Sequence, residues 1–300
     1  MIQFTVPDFY EKGQFNLDWI GFMRMYPHKF EECVISSVYG SFPLMIWAGG
    51  RQNKVDNINF VGLEDVKRII EMFNHNGVGV VLTCTNSLIG KEHLGDFYCN
   101  SVVEILGKDS LNAVLVNSPV LEVYLRNTHP QLKINRSTTT CPKNHEDFTQ
   151  LRYHRIVADF SLNNSPKLRN GVLTQEQKDH MELMLNDTCP PYCPYRKAHY
   201  QYISQYNLQG GLGRIEPSEP WKCQHPEFKT SFQENLKNPA TIGVEQMKSY
   251  HSLGFSHFKI VGREFNPIQL AEIYTYYMVK PEYQAEVMSW AIYRFSNVAR

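Results

Sequence analysis

Gly79-Val80-Val81-Leu82-Thr83 runs straight into Cys84-Thr85-Asn86. Its apolar residues are consecutive rather than alternate, so a strand here must be covered on both faces, as strands of a parallel sheet are. The polar tail begins where the strand stops. The same switch recurs along the chain. Ala113–Val116 leads into Asn117-Ser118, and Leu132–Ser137 leads into Thr138-Thr139-Thr140-Cys141. Arg155–Ala158 is followed by Asp159-Phe160-Ser161-Leu162-Asn163, and Met181–Leu185 by Asn186-Asp187. Upstream, Ile2–Val6 and Cys33–Val38 read as two further strands. Downstream, His257–Val261 reads as the last, ending in Gly262-Arg263-Glu264.

Helix-sized segments separate these runs. Leu63–Asn74 spaces Val66, Ile69, Ile70 and Phe73 on one face, the 3.6-residue period of an amphipathic helix. Thr174 and Gln177 have the spacing of a capping box. Helices are also expected over 17–26, 98–106, 119–127, 145–150, 243–253, 267–278 and 282–295. Parallel strands need crossovers, and crossovers are right-handed. Eight strands interleaved with helices therefore predict an α/β fold of the (β/α)8 TIM-like class, complete or distorted, with C-terminal helices. A doubly wound open sheet is the alternative. One barrel domain is expected over 1–300, with a long inserted loop at 206–238 and terminal helices at 267–297.

Composition narrows the function. Thirty Lys and Arg balance thirty Asp and Glu, so no global field draws nucleic acid or an anionic membrane. No apolar run approaches the ~18 residues that span a bilayer. The first residues, Met-Ile-Gln-Phe-Thr-Val-Pro, lack the basic and apolar regions of a secretory leader. With seven cysteines, an odd number, this favours reduced thiols and a cytoplasmic protein.

In such a barrel, chemistry gathers at the C-terminal strand ends. Beyond the seventh strand the chain reads Cys189-Pro190-Pro191-Tyr192-Cys193-Pro194, and Cys223 follows thirty residues after Cys193. Proline fixes φ and stiffens a turn that aims a sulfur. Thiolates are the ligands of zinc and of iron–sulfur clusters. The competing reading is three ordinary packed cysteines. A fourth ligand could come from Cys141, then Cys84, or from His199 or His225. Lys259 lies within the last strand, where alternation points it inward and desolvation would suit it to act as a base. Arg263 and Glu264 stand at the rim, fit for a polar ligand or a structural ion pair. His154 precedes a strand and reads as structural. Gly210-Gly-Leu-Gly213 lacks the lysine and the strand–helix context of a phosphate loop and reads as a turn. No Gly-x-Ser-x-Gly or His-Glu-x-x-His motif is present.

Ser256-His-Phe-Lys259-Ile260-Val-Gly262-Arg263 resembles the Leu-Lys-Ile-Glu-Gly-Arg signature of the U32 peptidase family, with Val261 where that family has Glu. Ser137-Thr138-Thr139 is similar to the family's His-x-Ser-Thr stretch, and Arg155-Ile-Val-Ala-Asp-Phe-Ser-Leu162 to the segment that follows it. The resemblance covers about 110–262 in the right order, with Cys189 and Cys193 where the family places its cysteines. It implies an α/β barrel and a cysteine-bound iron–sulfur cluster, of the [4Fe–4S] type, held by Cys189, Cys193, Cys223 and Cys141. Members of this kind serve oxygen-independent hydroxylation of ubiquinone precursors and of RNA bases. A redox enzyme acting on a small or nucleobase-like substrate is therefore expected, with Asn117, Asn163 and Asn186 as orienting groups and a protein partner supplying electrons. The alternatives are a zinc-dependent hydrolase or peptidase, and a non-enzymatic binding barrel with a structural metal. Proteolysis lacks an evident nucleophile–base pair.

Overall fold

The computed structural model describes residues 1–50, 60–169, 172–209 and 222–296. Eight parallel strands close on themselves in sequence order: β1 (Ile2–Pro7), β2 (Cys33–Gly40), β3 (Gly79–Cys84), β4 (Ala113–Val116), β5 (Lys133–Arg136), β6 (Arg155–Val157), β7 (Met181–Met184) and β8 (His257–Lys259). The chain is a (β/α)8 barrel. Closure is made by β1, which sets Gln3 opposite His257 and Thr5 opposite Lys259 on β8. That pairing removes the open-sheet alternative. A register irregularity between Phe4 and Thr5 bends β1 against β2.

The helices around the barrel are α1 (Gly13–Met25), α2 (Leu63–Asn74), α3 (Phe97–Leu106), α4 (Pro119–Thr128), α5 (His145–Phe148), α6 (Pro166–Arg169), α7 (Gln175–His180), α8 (Arg196–Leu208), α9 (Phe232–Asn235), α10 (Val244–Ser252), α11 (Pro267–Met278) and α12 (Gln284–Phe295). Their starts follow local chemistry. Thr174 accepts from the Gln177 N–H while Gln177 reaches back to the Thr174 N–H, the reciprocal box its spacing predicts. Ser118 caps α4 ahead of Pro119, whose missing N–H costs nothing at a first helical position.

Strand alternation divides the apolar residues in two. Phe4, Val38, Val80, Leu82, Val114 and Leu183 face outward into the core beneath the helices. Tyr39, Val81, Ala113, Leu115, Val157 and Met184 form a separate inner cluster. The lumen of such a barrel is ordinarily filled by layers of bulky branched side chains. Here it is thinly apolar and partly polar: Thr5, Asn135, Glu182, His257 and Lys259 are all buried. At the chain's two ends an aromatic seam joins α1 to α11 and α12, with Trp19 fully buried between Phe15, Phe30, Tyr274 and Trp290.

Of the insertion expected at 206–238, residues 206–209 and 222–238 are described. It opens with the end of α8 and closes with a short 3-10 turn (Pro226–Lys229) and α9. Gly210–Gly213 and Trp221 lie outside the described residues. Strands β5 to β8 are each a residue or two shorter than the runs expected for them, although Ser137, Ala158, Leu185 and Ile260 still donate to a neighbouring strand.

Candidate active site

Two cavities sit at opposite ends of the barrel. The larger, about 1000 Å³, lies at the N-terminal end and is lined by Gln3, Ser37, Asn135, His154, Arg155 and His257, among others. The smaller, about 170 Å³, lies at the C-terminal mouth. It is below the roughly 300–1,000 Å³ of drug-sized pockets, so it suits a small ligand. Size favours the first, but the mouth is where strand ends converge in this fold and where the thiols and the buried lysine are found.

Lys259, the last residue of β8, points into the lumen. Its Nζ lies 3.6 Å from Glu182 Oε2 and 3.8 Å from the Tyr39 ring centre. It is buried, and among the described residues its amine has no hydrogen-bond partner within 3.5 Å. Desolvation pushes its pKa down, and the Glu182 carboxylate pulls the other way. Glu182 is itself held by the Thr5 hydroxyl, which lies 2.9 Å from Ser37 Oγ. Arg263 lines the same pocket and stands 5.6 Å from the Tyr39 ring, so a second cation faces the same aromatic.

Asp187 accepts from the Cys189 N–H at 2.7 Å. Burial raises its carboxyl to about 6, and the nearby Glu264 adds to the rise. Burial, with the Asp187 charge beside it and the neighbouring Cys193, pushes the Cys189 thiol well up. Cys223 and His199 line the same cavity. Among the described residues, no three His, Cys, Asp or Glu side chains converge as a metal site. The three thiols line one cavity without forming a ready cage among the described residues.

The remaining candidates are distributed differently. Cys141, in a left-handed turn with φ of 53°, lines a neighbouring pocket with Asn117 rather than the one holding the other three thiols. Cys84 is fully buried in the outer core and does not line the mouth cavity. His225 is exposed and paired with Glu227 at 2.9 Å. Asn186 donates from Nδ2 to the Val261 carbonyl and accepts at Oδ1 from the Val261 N–H, both at 2.8 Å, so its amide is spent on extending β8. Asn163 donates to the Met184 and Ala240 carbonyls at 2.6 Å and is buried beneath the mouth. Asn117 donates to Thr139 Oγ1 at 2.7 Å. These amides hold the rim together; none of the three lines the mouth cavity.

Sequence reasoning missed Arg196. Entering on α8, it forks onto Asp159 at 3.0 and 2.9 Å and lies 3.9 Å over the Phe160 ring. The pair is buried, and the guanidinium pulls the Asp159 carboxyl down despite its burial. Asp159 at a strand end was the available signal; its partner lay on a helix that the sequence did not announce.

A scan against protein-family models and a search of the curated proteins find no match. A search of solved structures finds the U32 peptidase Mk0906, 15% identical, covering 87% of this chain and 93% of that one, with a TM-score of 0.50. This chain therefore has a U32 peptidase-like fold.

Proposed function

We propose that this chain is a redox enzyme acting on a small or nucleobase-like substrate at the C-terminal mouth of its barrel. Cys189, Cys193 and Cys223 are its thiophilic element. One observation carries the reading: three thiols line one small cavity with a buried lysine and an acid of raised pKa. The U32-like fold supports it, since the cavity occupies the reacting end of that architecture. Thiolates in this number suit an iron–sulfur cluster or zinc. Because the described donors do not converge as a metal site, no step of the reaction is routed through such a group. The chain's own part is to enclose a small ligand between Tyr39, Lys259 and Arg263, with Asp187 able to hold or release a proton near neutrality.

The test is purification without oxygen followed by iron, sulfide and zinc analysis of the wild type and Cys193→Ser. Iron and sulfide in the wild type, with a broad absorption near ~400 nm that Cys193→Ser loses, support the cluster. Colourless protein without iron removes it, and stoichiometric zinc turns the reading to a hydrolase. Among the described residues, no helix is long and apolar enough to cross a membrane.

A further inference from the structure

The cavity at the N-terminal end of the barrel, about 1000 Å³, reaches the upper end of ligand-site sizes. Ser37, Val81 and Ala113 keep one of its walls small, where a barrel lumen ordinarily carries bulky branched residues. The other wall is polar. Strand alternation turns Lys133 inward beside the outward Ile134, and Arg155 inward beside the outward Ile156. Register then sets Arg155 opposite Asn135, and His257 opposite both Gln3 and Glu182.

Two observations point to an anion there. The first is charge. Arg24, Lys133, Arg155 and Lys280 line the cavity against Glu31, Glu32 and Glu182. Glu31 is paired with Lys248 at 3.0 Å, and Glu182 with Lys259 at 3.6 Å. Asp179, whose charge also acts on Arg155, is exposed and accepts from Gln175. Four cations therefore face Glu32 and Asp179, a surplus of two positive charges. Arg24 is spent on Asn76 and Lys280 on the His28 carbonyl. Among the described residues Arg155 forms no ion pair and spends one N–H on the His154 carbonyl at 2.9 Å, while Lys133 forms neither an ion pair nor a hydrogen bond. The second is His257. It lines the cavity, is only 8% exposed and makes no side-chain hydrogen bond among the described residues, yet neither ring nitrogen is sealed. Burial and then Arg155 hold its ring neutral, and the same two causes, with Lys133, act on His154. An anion among them would reverse that field and draw protons to both rings.

We propose that the N-terminal end of the lumen binds a small dianion, inorganic phosphate or the phosphoryl group of a metabolite, between Arg155, Lys133 and the His257 ring. The planar guanidinium offers its remaining N–H groups to two oxygens, the geometry in which arginine holds phosphate best. Lys133 supplies the second charge, and the neutral His257 ring an N–H. A metabolite's remaining atoms have room against Ser37, Val81 and Ala113. The site lies at the opposite end of the barrel from the thiols and depends on none of them.

The experiment titrates the whole chain with sulfate, inorganic phosphate and glycerol phosphate at constant ionic strength, with sodium chloride as the control. Imidazole C–H signals are followed by NMR, those of His154 and His257 being assigned by their loss in His154→Gln and His257→Gln. Sulfate, which stays a dianion across the range, should shift both signals saturably and raise the pH at which both rings titrate by about 1–3 pH units. Arg155→Gln should weaken sulfate by about ten- to a hundredfold. Lys133→Gln, at a half-exposed position, should weaken it several-fold and serves if Arg155→Gln fails to fold. Tighter binding of glycerol phosphate than of phosphate identifies a phosphoryl-bearing metabolite, and equal binding identifies free phosphate. If sulfate and phosphate move the two signals no more than chloride does, the cavity holds only water and the proposal falls. If they bind the variants as tightly as the wild type, the ion sits elsewhere and the proposal falls as well.

Discussion

Arg196 carries a full charge into the interior and is answered there by Asp159 through two hydrogen bonds. A buried pair of this kind gains little over an apolar replacement, yet breaking it strands a charge at a cost of about 3–5 kcal/mol. Arg196→Met should therefore lower unfolding stability by that amount in urea titration, and adding Asp159→Leu should restore much of it. Asp187 makes a different prediction. Its carboxyl sits at about 6 in the fold against an ordinary 3.8, so the native state holds a proton the unfolded chain has lost. Its penalty is absent below 3.8 and complete above about 6, so stability falls as pH rises through that window. Asp187→Asn, which keeps an acceptor for the Cys189 N–H, should match the wild type in acid and exceed it by roughly 1–2 kcal/mol above neutrality, as read by urea midpoints across pH. What sequence could say at this scale depended on the kind of residue. The inward aim of Lys259 follows from strand alternation. A polar residue at a strand end faces either a ligand or a neighbouring backbone, and that choice, made by Asn163 and Asn186 in favour of backbone, is settled by chain segments up to 77 residues away.

The elements were legible where periodicity was strong and hidden where it was weak. β3 and α2 announce themselves, one by an unbroken apolar run and the other by a clean apolar stripe. α8 does not: Arg196-Lys-Ala-His-Tyr-Gln-Tyr-Ile-Ser-Gln-Tyr-Asn-Leu208 is polar and aromatic in turn, with no apolar face. It is held by polar contacts instead, through Ser204 to Asn86 and Ser87, and Asn207 to the Ala48 carbonyl. The loop after β2 depends on one small residue. A Cβ on Gly49 would lie 2.5 Å from both the carbonyl carbon and oxygen of Thr85, so the backbone of that loop rests directly on the end of β3. Gly49→Ala should cost on the order of 1–3 kcal/mol, because rigid backbone must give way.

For the whole molecule, the closed topology was within reach of the sequence, because eight covered strands with helical crossovers leave few alternatives. The polar lumen was not, since it depends on which strand neighbours share a layer. That lumen sets an acid limit. Burial, with Arg155 nearby, holds His154 at about 4 and His257 at about 3, against 6.5 when free. A base whose pKa falls on folding contributes its full stability above 6.5 and loses it as pH drops toward those values. Melting temperature should therefore decline below about 6.5, and His257→Gln should flatten the decline. Closure has one more consequence, for synthesis. β1 meets its second neighbour only at residues 257–259, so a growing chain carries an unpaired first edge until that strand has left the ribosome. At about 5–20 residues per second that interval is on the order of tens of seconds. Throughout it the backbone of Gln3 to Thr5 can template association with other nascent chains, and a chaperone that shields strand edges during translation should raise the yield of this protein more than one acting after release.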